Sequence, residues 1–66
     1  MSYVIKFLKE DLVVGSMPWD GDIKSAITHA RDQFPIRKKT HGATLVVVVD
    51  DDDNETVFTF GDEKSV

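Results

Sequence analysis

The most conspicuous chemical groups in this chain are the carboxylates of one acidic run. Residues 50–55 read Asp-Asp-Asp-Asp-Asn-Glu. Asp50, Asp52 and Asn54 occupy the first three ligand positions of a calcium loop of the D-x-D-x-N type. The match ends there, because position six is a glutamate instead of glycine and position twelve is Gly61 instead of a bidentate glutamate. We therefore predict a solvated turn and assign no metal ligand, with weak divalent-metal binding at this turn as a third hypothesis for function.

Two histidines are the remaining candidates for catalysis. His29 falls on the polar side of a predicted helix, His41 precedes a glycine, and no serine stands in a nucleophile-elbow context. The acidic residues fall in turns, caps and the tail, and 66 residues leave little room for a desolvated cleft. Because the chain has no cysteine, disulfides and thiolate metal sites are excluded. We expect a protein that is not an enzyme and that binds no cofactor.

Length and composition indicate one globular domain over 1–61, followed by a frayed tail at 62–66. The longest apolar run, Leu45 to Val49, is far shorter than the roughly 20 residues that cross a bilayer. The first residues lack the basic and apolar segments of a secretion signal, so we expect a cytoplasmic protein. A net charge of −4 argues against direct binding to nucleic acid or to anionic membranes.

Alternating apolar residues predict four strands, and helical spacing predicts one helix. The strand segments are 3–8, 12–14, 43–50 and 56–60. We expect the second strand to break between Gly15 and Trp19, because Pro18 cannot donate to a ladder. The apolar face of the helix is formed by Ile23, Ala26, Ile27, Ala30 and Phe34.

The helix is predicted to begin at an aspartate cap and to end at a proline. Asp20 and Asp22 are good N-cap residues, and Pro35 removes an amide and biases Phe34 away from helical angles. Residues 36–42 then form a basic linker. The predicted fold is α+β: a two-layer sandwich of order ββαββ, with one helix packed on a four-stranded mixed sheet in which strands two and three are parallel.

This topology predicts two surfaces that could bind a partner. One is an acidic pole, where the start of the helix and the turn after strand three meet; it comprises Asp20, Asp22, Asp50, Asp51, Asp52, Asp53 and Glu55. The opposite pole holds Lys9, Arg37, Lys38, Lys39 and His41, mixed with Glu10 and Asp11. Such a separation of charge can steer a basic partner or can simply keep a small domain soluble.

The second surface is the sheet face that a single helix cannot cover. If Tyr3, Ile5, Phe7, Phe58 and Phe60 point towards the helix, alternation places another apolar set outward. That set is Val4, Leu8, Val46, Val48 and Val57. A large exposed apolar patch usually marks an interface, and a two-fold homodimer is the simplest way to cover it.

The N-terminal half resembles a known family. A hairpin followed by a helix with Ala26, Ala30 and an aspartate-rich entry is similar to the start of small bacterial HicB-like antitoxin domains. The resemblance covers Tyr3 to Phe34 and rests on hydrophobic spacing. The proline- and glycine-rich strand of that family has no clear counterpart in the segment 15–18. We therefore assign no family on this basis.

Three hypotheses for function follow from these surfaces. The leading one is a non-enzymatic protein-interaction domain of bacterial or phage-like style. The alternative is an acidic mimic of nucleic acid, of the anti-restriction or anti-CRISPR type, that occupies the basic groove of a nucleic-acid-binding protein. The metal-binding turn is the third. The salt dependence of binding distinguishes the first two hypotheses. The affinity of a nucleic-acid mimic falls steeply with added salt, whereas that of an apolar interface does not.

Overall fold

The computed structural model describes residues 2–61, which form one helix and four strands. The elements are β1 (Ser2–Lys9), β2 (Leu12–Asp20), α1 (Ile23–His41), β3 (Leu45–Asp50) and β4 (Glu55–Gly61). The predicted order ββαββ and the two-layer α+β architecture are confirmed. The predicted tail at 62–66 lies outside the described residues.

The four strands form one open sheet in the order β2-β1-β3-β4. Every neighbouring pair is antiparallel. β2 and β3 do run in the same direction, as predicted, but β1 lies between them, so the sheet is not mixed. The reason is that the hairpin keeps β1 beside β2, and α1 then carries the chain past β1 to its other side.

β2 does not break where the sequence predicted. It continues to Asp20, with Pro18 opposite Val4 on β1. The strand tolerates proline because β2 is at the edge of the sheet, where a missing N–H can face solvent. β2 also carries one extra residue, since Phe7 lies opposite Gly15 whereas the next residue of β1 lies opposite Val13.

The helix begins where predicted and ends later. Asp22 is the N-cap, and its Oδ1 accepts a hydrogen bond of 3.1 Å from the Ser25 N–H. The prediction that Pro35 ends the helix is wrong, because α1 runs through it to His41. Pro35 is exposed and removes only one intrahelical hydrogen bond. The helix stops at Gly42, whose φ of 71° gives the left-handed C-cap that glycine favours.

The core lies between α1 and one face of the sheet. Its fully or nearly fully buried side chains are Tyr3, Ile5, Phe7, Ala26, Ala30, Phe34, Ala43, Val46 and Val48. The helix therefore contacts the sheet through two small residues and one large one. Ile23 and Ile27 were also predicted to line the buried face of the helix, but they are not fully buried: Ile23 is 36% exposed and Ile27 is half-buried.

No helix among residues 2–61 combines the length and the apolar character needed to cross a membrane.

Candidate interaction surfaces

The sheet face turned away from α1, here called the open face, is mainly apolar. Side chains alternate along a strand, so the residues of β1 and β3 that lie between core positions point to this face. They form three cross-strand pairs: Val4 with Val49, Lys6 with Val47, and Leu8 with Leu45. Val49 is 5% exposed and the other five are half-buried. The centre of the open face is thus a patch of valine and leucine side chains.

Two residues predicted for this face lie on the opposite one. Val46 and Val48 are fully buried against the helix, because they pair with Phe7 and Ile5, which also face α1. In a run of four valines the sequence does not show which alternate pair points inward. Pairing with β1 decides it, and Leu45, Val47 and Val49 take the outward positions.

The other three predicted residues are placed at the open face. Val4 and Leu8 are half-buried on β1, and Val57 is 36% exposed on β4. Val57 is the extra residue of a bulge, because Val48 lies opposite Phe58 whereas Val49 lies opposite Thr56. Val57 therefore stands at the rim of the apolar patch and not at its centre.

The open face carries the charged side chains of Lys6 on β1 and Asp20 on β2, which have opposite signs. Asp51 joins them at the end of this face, where its Oδ2 accepts a hydrogen bond of 3.3 Å from the Ser2 hydroxyl. Lys6 lies at the middle of β1, between Ser16 on β2 and Val47 on β3. Asp20 lies at the end of β2, opposite Ser2, which shares the face of Lys6 by alternation. The sequence interpretation included Asp20 in the acidic pole and did not single out Lys6. The register between β1 and β2 is what places Lys6 and Asp20 on the same face.

The acidic pole is assembled at one end of the sheet. Ser2 lies opposite Asp20, Tyr3 lies opposite Asp50, and the Asp51 N–H donates to the Ser2 carbonyl at 3.1 Å. α1 begins just after β2 at this same end. The structure thus brings together all seven predicted residues: Asp20, Asp22, Asp50, Asp51, Asp52, Asp53 and Glu55.

The basic residues of the helix lie at the other end, beside the turn between β1 and β2. Lys38, Lys39 and His41 belong to the last turn of α1, and the Lys9 side chain passes within contact distance of Gly42. The guanidinium of Arg37 lies 5.5 Å from the ring centroid of Phe7. What the sequence suggested was a basic linker is therefore a helix terminus, where cations are favoured by the helix dipole.

The aspartate turn is shaped by its own side chains. Asp50 Oδ1 accepts a hydrogen bond of 2.9 Å from the Asp52 N–H, and the Asp50 carbonyl accepts one of 2.8 Å from Asn54. Asn54 has a positive φ of 60°, which asparagine tolerates better than most residues. Among residues 2–61, no three histidine or acidic side chains are grouped so that they could hold a metal ion.

A shallow groove of about 470 Å³ runs beside the first turns of α1. Trp19 forms one wall, and its ring stacks on His29 with centroids 4.6 Å apart. The indole Nε1 donates to Ser25 Oγ at 3.2 Å, and that hydroxyl donates to Asp22 Oδ1 at 2.5 Å. These hydrogen bonds from Ser25 hold the pKa of Asp22 below its ordinary value of 3.8, so the cap stays ionised.

The two histidines make different contacts. His29 stacks on Trp19 and lines the groove beside α1. His41 is exposed at the helix terminus, where its Nδ1 lies 2.7 Å from the hydroxyl of Thr40, which also donates to the Ile36 carbonyl.

Comparison of the chain with family models, with curated proteins and with solved structures gave no significant match.

Proposed function

We propose that this protein is a non-enzymatic interaction domain that binds another protein chain through the open face of its sheet. The observation that carries the proposal is the patch formed by Val4, Leu8, Leu45, Val47 and Val49, which lies on the face turned away from α1. Contiguous apolar side chains on such a face favour an interface, because burying apolar surface contributes about 25 cal/mol per Å².

The sheet supplies this surface in a rigid form. β1 and β3 are its two central strands, each paired on both sides, so their outward side chains are held at fixed spacing. A surface presented in this way needs little ordering when a partner binds, which lowers the entropic cost of association. We place this activity in the cytoplasm, in keeping with a chain that contains no cysteine.

Site-specific photo-crosslinking tests the proposal. A photoreactive residue is placed at Thr59, which is exposed on the open face opposite Val47, and in a second protein at Thr28, which is exposed on the helix. The same residue type is replaced in both, so the two proteins are matched. We expect a discrete crosslinked protein product from position 59 and none from position 28. Equal crosslinking at the two positions, or none at 59, would contradict the proposal.

The acidic pole favours a second candidate function, an acidic mimic that binds the basic groove of a nucleic-acid-binding protein. Seven carboxylates at one end of a domain only 31 Å long form a compact anionic surface. DNA carries about one charge per 1.7 Å of axis, so a basic groove evolved for DNA would attract such a pole. The observation that supports this candidate is the clustering of these carboxylates at one end of the domain.

Neutralising the pole without disturbing its turn tests the second candidate. Asp52→Asn, Asp53→Asn and Glu55→Gln remove three charges and leave Asp50, which holds the turn together, unchanged. Mimicry predicts that a partner recovered with the wild type is lost from this triple variant and from the wild type at about 0.5 M salt. A partner retained under both conditions would assign binding to the open face alone.

A further inference from the structure

We propose that the occupant of the open face is a second copy of this chain, related by a two-fold axis that crosses the strands near Val4. In this arrangement Lys6 of each copy lies against Asp20 of the other. The inference rests on the proposed function and adds the identity and orientation of the partner. It is argued from the distribution of charge on the open face.

Lys6 and Asp20 cannot form an ion pair with each other within one chain. Asp20 is level with Ser2, and Lys6 lies four residues further along β1. At about 3.3 Å per residue this separation is roughly 13 Å along the strand, with one strand spacing across it. Neither the lysine nor the aspartate can reach that far, so each lacks the other as a partner within residues 2–61.

A two-fold axis across the strands makes these charges complementary. The level halfway between Ser2 and Lys6 is that of Val4. Rotation about an axis at this level exchanges the two ends of the face, so Lys6 of one copy comes level with Asp20 of the other. Because the operation is symmetric, two equivalent ion pairs form. Their lateral offset is one strand spacing, about 4.8 Å, which a lysine side chain spans.

Two of the apolar residues fall in the centre of the same arrangement. Val4 and its neighbour Val49 lie at the level of the axis and so pack against their own copies. Val49 is only 5% exposed, so this centre is already densely packed within each copy. The ion pairs lie two residues from the axis, level with Val47, and Leu8 and Leu45 lie two residues further out.

Charge at the two ends of the domain selects this orientation over the other two-fold packing. An axis along the strands would keep like ends together and place the two acidic poles side by side. An axis across the strands separates the poles and brings each towards the end that carries Lys9, Lys39 and the C-terminus of α1. Like charges opposed across an interface disfavour association, so electrostatics favours the axis across the strands.

Charge-reversed variants test the proposal by sedimentation equilibrium. We expect the wild type to dimerise, and Lys6→Asp and Asp20→Lys each to weaken dimerisation by about tenfold or more, because each homodimer would then oppose like charges. An equimolar mixture of the two variants should recover a heterodimer of near wild-type affinity, since one ion pair is then the native one and the other is restored with reversed polarity. This recovery also shows that both variants fold. Asp32→Lys, the same charge change on the exposed face of the helix, is the control and should leave the dimer constant unchanged within about threefold.

Three results would overturn the proposal: a wild type that stays monomeric up to about millimolar concentration, single variants that dimerise like the wild type, or a mixture that fails to recover the heterodimer. These results leave the proposed function separately testable. A crosslink from position 59 to a different protein supports an interaction domain and refutes the second copy, whereas the absence of any crosslink there refutes both.

Discussion

The indole of Trp19 stacks on the imidazole of His29, with 4.6 Å between ring centroids and 25° between ring planes. This contact ties the end of β2 to the second turn of α1, and the bond from Trp19 Nε1 to Ser25 ties it to the first turn. The Trp19 side chain therefore links the edge strand to the helix.

Removal of the His29 imidazole should weaken the contact between β2 and α1. His29→Ala is expected to lower the free energy of unfolding by about 1 kcal/mol, since a stacked aromatic pair contributes about that much beyond its buried area. Trp19 is the single tryptophan, so its emission should shift to longer wavelength as the ring becomes more exposed. Thr28→Ala, on the exposed side of the same turn, should leave the emission unchanged. An unshifted spectrum in His29→Ala would contradict the stacked geometry.

The N-cap should make stability depend on pH. Hydrogen bonds from Ser25 lower the pKa of Asp22 from 3.8 in the folded state, so the ionised cap stabilises the fold above that pH. The contribution is lost as the pH falls from 3.8 through the lowered folded pKa. Asp22→Asn keeps a cap acceptor but cannot titrate.

Thermal unfolding followed by circular dichroism checks this expectation. The Tm of the wild type should exceed that of Asp22→Asn at neutral pH, and the two values should converge as the pH falls below the folded pKa of Asp22. Asp32→Asn, which removes the same charge from an exposed position further along α1, is the matched control. A constant difference between wild type and Asp22→Asn at all pH values would argue against the ionised cap.

The two faces of β3 should respond differently to the same substitution. Val48→Thr buries a hydroxyl in a fully enclosed site and should lower the free energy of unfolding by about 1–3 kcal/mol. Val47→Thr, one residue away on the open face, retains access to water and should cost less than about 1 kcal/mol. Urea denaturation, at a concentration low enough to keep the chain monomeric, measures both. Equal losses would show that the register between β1 and β3 differs from the one described.

Pro35 should be a weak point in an otherwise continuous helix. Alanine at this position restores an N–H to the helical ladder and removes the clash of the ring with the preceding turn. Pro35→Ala is therefore expected to raise the free energy of unfolding by at least about 1 kcal/mol, measured by urea denaturation. Ile36→Ala, at an exposed neighbour, is the control. Destabilisation by Pro35→Ala would contradict this expectation.

Local chemistry explains which parts of this fold could be predicted. The Asp22 cap, the alternation in β1 and the helical spacing of Ala26, Ala30 and Phe34 are properties of a few adjacent residues, and all of them recur in the structure. The predicted end of the helix failed because the contact of Arg37 with Phe7 and the cap at Gly42 outweigh one lost hydrogen bond. Tertiary context overrode a local signal there.

The acidic pole could be predicted from the sequence, whereas the residues of the open face could be predicted only in part. The acidic pole follows from the order of elements, and the order was predicted correctly. The inward and outward positions on β3 depend on register, and shifting a strand by one residue exchanges its two faces. Val46 to Val49 contains no polar residue to mark the outward side, so only pairing with β1 separates Val48 from Val49.

The irregular outer strands affect how readily this protein forms fibrils. β2 carries Pro18 and one extra residue, and β4 carries one extra residue at Val57, so both borders of the sheet are kinked and make poor templates for a further strand. The valine run of β3, which is the segment best suited to fibrillar stacking, is enclosed between β1 and β4. Fibril formation would therefore require the whole domain to open first, and its rate should follow the rate of global unfolding.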